Sequence, residues 1–377
     1  MMEIPFFKPD IDETEKSLID EVLDLRGESK IDKLENDFKE YIGTTYAVST
    51  NNGTAAKHLA MCALDLKRGD KLICSVNAFP SVAEVIRHFD AEPIFVDINK
   101  DDFNMDPDKL EEALKKHKHK KLKGIFVSHI AGQPADLDAI YELAREFRVK
   151  VIEDASYAMG AVYKGKKVGS TGGDITVFSF NPQRMNAVAY GGIMVTENSE
   201  LNDRARLLKS HALVTDKWDK YGNLGYVYDV VDIGCKYDIS ELNAAFCSAQ
   251  LKKNDKFIQR RKEIAEIYYQ KLSGLPHIEL PKKVREHNFD LFIIKIDKNR
   301  DGFARALKEE GIYTGLHFIP IHLLSYYKHK YNLRVSDFPN ALANYQQILS
   351  LPIYSAMTDE EANYVCEKVA EIAHKWI

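Results

Sequence analysis

The chain has 377 residues, more than one hydrophobic core usually serves, and at about 150 residues per domain it is expected to divide in two. Its 45% hydrophobic and 29% charged residues are ordinary globular values, which excludes extended disorder and a membrane-embedded class. A formal charge of -5 offers no basic field to nucleic acid.

Residues 1–10 lack a basic-then-apolar leader, and no apolar run nears the roughly 20 residues of a membrane span. A cytoplasmic protein is expected, with neither a membrane nor a nucleic-acid partner. Through the first two thirds, short apolar runs alternate with amphipathic stretches, the pattern of parallel strands joined by crossover helices. Strands are predicted at Leu72–Ser75, Pro93–Asp97, Gly124–Ser128, Val149–Glu153, Thr176–Phe180 and Gly192–Thr196. Helices are predicted between them at Thr54–Leu66, Ser81–Phe89, Asp106–Lys118 and Leu137–Phe147. From Glu241 the pattern becomes one long helix, ending near Leu272 before Ser273-Gly274-Leu275-Pro276, a helix stop. Strands at Phe289–Ile296 and Thr314–Phe318 follow, with helices at Asp301–Glu310, Ala341–Gln347 and Asp359–Ile377. The expected division is a large α/β domain over 1–250 and a smaller α+β domain over 251–377.

Three segments carry candidate chemistry. Gly53-Thr54 opens a helix, where free backbone N–H groups and a hydroxyl suit a phosphate, although a plain N-cap reads equally well. Glu153-Asp154 closes a buried strand, at the end where open α/β sheets form their crevices. Phe178-Ser179-Phe180 ends another strand, with Gly191-Gly192 soon after. Five cysteines (Cys62, Cys74, Cys235, Cys247, Cys366) show no paired or metal-like spacing, so neither a disulfide framework nor a metal site is expected.

In this order the three segments resemble the pyridoxal-phosphate site of the DegT/DnrJ/EryC1/StrS sugar aminotransferases. The likeness runs on through Gly132-Gln133-Pro134-Ala135-Asp136, Ser240-Glu241-Leu242-Asn243 and His317-Phe318-Ile319-Pro320. It implies an aspartate-aminotransferase-type large domain, with a mainly parallel seven-stranded sheet, and a smaller C-terminal α+β domain. It also implies phosphate contacts at Gly53, Thr54 and Ser179, an aromatic cover at Phe79, and Asp154 against the pyridine nitrogen. His317 and His322 match a motif facing the sugar nucleotide, and Lys236 belongs to a segment the family lends to a neighbouring subunit's site. A homodimer with composite sites, acting on a nucleotide-linked sugar, is therefore expected.

The departures fall in the same pocket. Arg184 stands at the family's Schiff-base lysine, Tyr190 at a glutamate and Tyr157 at a glutamine, while Met159, Lys236 and Asp238 also deviate. A guanidinium, with a pKa above about 12, neither condenses with an aldehyde nor serves as a base near neutral pH. Proton work would pass to Tyr157, Tyr190, His211 or Lys236. Three readings stay open: an enzyme of deoxy- or amino-sugar biosynthesis using pyridoxamine or pyridoxal phosphate without a covalent tether; a repurposed homologue that binds a nucleotide sugar or a partner, with or without cofactor; and an aminotransferase carrying an engineered Lys-to-Arg change.

Overall fold

A computed structural model describes residues 2–25, 27–181, 189–214 and 228–376. Its centre is a seven-stranded sheet of β1 (Tyr46–Thr50), β2 (Lys71–Ser75), β3 (Glu92–Val96), β4 (Leu122–Ser128), β5 (Lys150–Asp154), β6 (Ile175–Phe180) and β7 (Gly191–Thr196). The order across the sheet is β1-β7-β6-β5-β4-β2-β3. Only β7 runs against the rest: it pairs antiparallel with both β1 and β6, and the other pairs are parallel. The strands are apolar on both faces because helices cover both. The register sets Asp154 beside Val177 and Thr50 beside Gly192. The strand ends that carry Asp154 and Ser179 therefore open on one side of the sheet.

Two helices precede the sheet, α1 (Glu13–Leu23) and α2 (Lys30–Ile42), and the crossover helices follow as α3 (Gly53–Ala63), α4 (Ser81–Arg87), α5 (Pro107–His117), α6 (Leu137–Phe147) and α7 (Ser199–Leu208). Helix α6 shows why these stretches are helical. Leu137, Ile140 and Ala144 recur at helical spacing and are buried, Asp136 caps the start, and Arg148 ends it with φ of 54°. Helix α3 differs in kind. Gly53, Ala55, Ala56, Lys57, Leu59, Ala60, Met61 and Ala63 are all buried, so this helix is enclosed on most of its surface.

The 32-residue α8 (Glu241–Leu272) packs on α1, α2 and the final helix. Beyond it a three-stranded antiparallel sheet of β8 (Ile278–Glu279), β9 (Phe292–Ile296) and β10 (Ile348–Leu351) is accompanied by α9 (Arg300–Glu309) and, after α10 (Ser325–Lys330), which packs its Tyr327 against Phe95 of β3, by α11 (Pro339–Gln347) and α12 (Asp359–Lys375). Its core also takes in Ile4, which bridges to Ile312. The strand expected at Thr314–Phe318 is not formed: Gly315 makes one bridge to Ser350, and the backbone then turns toward the large sheet. No helix among the described residues is long and apolar enough to cross a membrane.

Candidate functional site

A cleft of about 1380 Å³ opens at the strand ends of the large sheet, bordered by the N-terminal residues around Phe6 and by Tyr313, His317 and Phe318. One end is built for an anion. Asn52 caps α3 by accepting from the Ala55 N–H at 2.8 Å, and the first turn of the helix faces the cleft with Gly53 and Thr54. A Cβ on Gly53 would lie 2.5 Å from the Ser179 Cβ and Oγ, so only glycine lets the helix end meet this hydroxyl. Gly192 is required behind it, since a Cβ there would collide with the Asn52 carbonyl. A helix N-terminus joined by a hydroxyl is a phosphate-sized donor cradle.

On the strand neighbouring that of Ser179 lies Asp154, buried. Its Oδ1 accepts from the Ser156 N–H at 3.0 Å and from the Ser156 hydroxyl at 2.5 Å. Its Oδ2 is 2.7 Å from the Lys57 ammonium, which also reaches Ser81 Oγ at 3.0 Å. Burial works to raise the Asp154 carboxyl, but the Lys57 charge and these hydrogen bonds outweigh it and hold the carboxyl below its usual range. Behind it His129 Nδ1 accepts from the Ala135 N–H at 3.1 Å, which leaves Nε2 to donate to Glu153 at 3.0 Å.

The mouth is aromatic. Phe79 lies edge-on to Phe318 at 6.1 Å, Tyr157 touches both Phe318 and His317, and Phe6 stacks on His317 at 5.5 Å. His317 Nδ1 is tied to Ser350 Oγ at 2.9 Å, and Tyr190 lines the same opening. Of the residues predicted from sequence, Gly53, Thr54, Phe79, Asp154, Tyr157, Ser179, Tyr190 and His317 thus converge on one cleft.

Others do not line it. His322 is buried against Phe338 with Nε2 on the Val335 carbonyl at 3.1 Å. Burial depresses its basicity despite that bond. His211 sits in an exposed turn with φ of 61°. Lys236 forms a surface pair with Asp238 at 2.7 Å. Arg184 lies outside the described residues. Sequence reading missed Lys57, the one lysine or arginine among the described residues lining the cleft. Its signal was a lone cation in a run of small apolar residues. It also treated the cysteines as scattered, whereas Cys62, Cys235 and His58 bring their ligand atoms within 4.8 Å of one another, on residues that do not line the cleft.

A family model for the DegT/DnrJ/EryC1/StrS aminotransferases matches residues 9–370. The chain belongs to this family. It is 37% identical to the uncharacterized protein MJ1066 of Methanocaldococcus jannaschii, over 98% of this chain and 97% of that one. It is 35% identical to the spore coat polysaccharide biosynthesis protein SpsC of Bacillus subtilis, again over 98% and 97%. Among solved structures, the putative sugar aminotransferase Spr1654 of Streptococcus pneumoniae in its PMP form superposes with a TM-score of 0.91 at 26% identity, over the whole of both chains. DesV of S. venezuelae, solved with a ketimine intermediate, gives 0.89 at 27% identity over 99% of each. Membership fixes the fold as that of the pyridoxal-phosphate sugar aminotransferases, a family of nucleotide-sugar and polysaccharide biosynthesis.

Proposed function

We propose that this chain binds pyridoxamine phosphate or pyridoxal phosphate without a covalent tether, and acts in the cytoplasm on a nucleotide-linked keto-sugar destined for a deoxy-sugar, an amino-sugar or a surface polysaccharide. The observation that carries this is the cradle: the α3 N-terminus, Gly53 and the Ser179 hydroxyl meet closely enough to hold a phosphate, in a cleft that also holds the buried carboxylate of Asp154. The residues present fit the cofactor. The Gly53 and Thr54 N–H groups and Ser179 would take its phosphate, Phe79 its ring face, and the Asp154 end its ring nitrogen. When bound, the cofactor supplies an amine or an electron sink.

This chain's own residues do the rest. Tyr157, with its ring against Phe318 and His317, and Tyr190 flank the place where a sugar would sit and can donate or accept at its hydroxyls. His317, oriented by Ser350, is the substrate-side imidazole. The cleft volume of about 1380 Å³ exceeds the 300–1,000 Å³ or so of a single-ligand pocket, room for a cofactor and a sugar nucleotide together. Arg184, at the position of the family lysine, serves as a fixed cation for a phosphate or carboxylate. Composite sites in a homodimer belong to this reading, with the domain division at residues 250 and 251.

A second reading is favoured by the Lys57–Asp154 pair, which occupies the ring-nitrogen end: a binder of nucleotide sugars without group transfer. Calorimetric titration with pyridoxamine phosphate separates the two. A hydrogen bond to a charged group is worth roughly 1.5–3 kcal/mol, so Ser179→Ala should weaken binding about 10- to 100-fold. Equal affinity in wild type and variant would remove the cradle assignment; no binding to wild type would leave the second reading.

A further inference from the structure

A lysine inside a helix enclosed by apolar neighbours is costly unless its charge is answered. Lys57 is answered by one group in particular. Its ammonium lies 2.7 Å from Asp154 Oδ2, with the two side chains 5% and 7% exposed. Ionised, a carboxylate offers about four lone-pair sites. Among the described residues Ser156 fills two of the Asp154 sites and Lys57 a third, and the charge that made this carboxylate attractive to a cation is already balanced by the ammonium.

We propose that Lys57 is a positioning residue that neutralises Asp154, so that the floor of the cleft receives an aromatic ligand with its ring nitrogen unprotonated. This rests on the cleft being a pyridoxal-type site. A carboxylate alone at this depth would pull a proton onto a pyridine nitrogen, because a buried anion favours a cation beside it. An ammonium at ion-pair distance cancels that preference, and a pyridinium brought to the same spot meets Lys57 as a like charge. The Ser81 hydroxyl, at 3.0 Å, holds the ammonium in place from α4. The consequence is chemical: a neutral pyridine is a weaker sink for electrons than a pyridinium, so Lys57 would lower the electron-withdrawing power of a cofactor bound here. Lys57 is thereby a counter-ion and not a replacement tether, since a lysine held as an ammonium against a carboxylate is no nucleophile.

The test is the ¹⁵N resonance of pyridoxamine phosphate labelled in the ring, bound to the full-length protein, to Lys57→Met and to Lys57→Arg, across pH 6 to 9. The expected result is an unprotonated nitrogen in wild type and in Lys57→Arg, and a protonated one in Lys57→Met, whose affinity should rise at least tenfold at pH 6 while wild-type affinity stays flat. A protonated nitrogen in the wild-type complex overturns the proposal, and does so even if Lys57→Met fails to fold. An unprotonated nitrogen in a folded Lys57→Met overturns it as well. So does a borohydride-fixed pyridoxyl group on Lys57 after incubation with pyridoxal phosphate. Absence of binding to all three proteins would defeat the reading of the cleft itself and this proposal with it, an outcome distinct from binding with the wrong protonation.

Discussion

Asp154 and Lys57 hold each other in a place where neither charge would survive alone, and that makes their pairing measurable through stability as well as through ligand binding. Burial acts first on Asp154 and would raise its carboxyl, but Lys57 and Ser156 hold it below the usual carboxylate range. A carboxyl depressed on folding stabilises the native state at every pH above its unfolded pKa, and the contribution is lost as pH falls through the folded value. Breaking a buried pair by removing one partner costs roughly 3–5 kcal/mol. Asp154→Asn should therefore be destabilised by about that much at pH 6 to 8, and the gap to wild type should close in acid, where the wild-type carboxyl is itself protonated. Urea titrations of both proteins from pH 7 down through the acid range read the gap directly; a gap that stays undiminished as pH falls below the unfolded carboxyl's pKa would mean that packing, and not charge, distinguishes the two. At this scale the sequence was informative about Gly53, Asp154 and Ser179, because a glycine before a helix and polar residues at strand ends break a pattern. It was silent about Lys57. A single lysine three residues after Thr54 reads as a solvated side chain, and only the enclosure of α3 on most of its surface makes it a pocket residue.

Between elements, the approach of β1 to the cradle depends on a buried acid far from the ligand. Glu35, on α2, accepts from the Ser49 N–H at 2.8 Å and hydroxyl at 2.7 Å, and from Arg206 at 2.8 Å, with Lys209 at 3.4 Å. One carboxylate thus joins α2, α7 and the strand that delivers Thr50 to Gly53. Burial pushes its carboxyl up, but Lys209, Ser49 and Arg206 bring it below the ordinary range. Glu35→Ala leaves Lys209 and the buried Ser49 N–H without this carboxylate, while Arg206 keeps the Ala47 carbonyl, so a loss of about 3 kcal/mol is expected, with weaker binding of pyridoxamine phosphate because β1 loses its anchor. The exposed pair Lys16–Glu13, at 2.5 Å, is the control: Glu13→Ala should change stability by less than about 1 kcal/mol. Thermal melts of the two variants test this, and similar midpoints would deny Glu35 its role. The crossover helices and central strands were legible in the sequence to within a few residues, since their periodicity is set by a core on both sides. Helices α1 and α2 and strand β1 were not read from it: the apolar residues of α1 are few, those of α2 recur at helical spacing within a highly charged stretch, and β1 is a short run ending in Ser49 and Thr50. The expected strand at Thr314–Phe318 failed for the converse reason: its apolar residues serve the aromatic mouth of the cleft and not a ladder.

At the scale of the whole molecule, the segment from Tyr228 to Asp238 carries more apolar surface than a monomer has reason to show. Ile233 is 92% exposed, Tyr228 63% and Val230 56%, on a short ribbon in which Leu213 pairs with Val230. Cys235 pins its far end through a 2.7 Å bond from its N–H to the Leu208 carbonyl, so this surface is presented by a held backbone. Large apolar residues clustered in the open mark an interaction surface more often than chance, and symmetric pairing is the commonest way soluble chains cover one. The same segment carries Lys236, which in its own chain lies off the cleft and paired with Asp238, an arrangement that suits a residue offered to a second subunit. The prediction is a homodimer whose sites are completed across the interface. Light scattering at micromolar concentration should give twice the chain mass for wild type and the single chain mass for a Val230→Asp, Ile233→Asp double variant. That variant should melt as a folded protein yet bind pyridoxamine phosphate at least tenfold more weakly, because each cleft then lacks what the neighbour supplies. A wild-type monomer would end the composite-site reading, and so would a monomeric variant that keeps full affinity, since the cleft would then be complete within one chain.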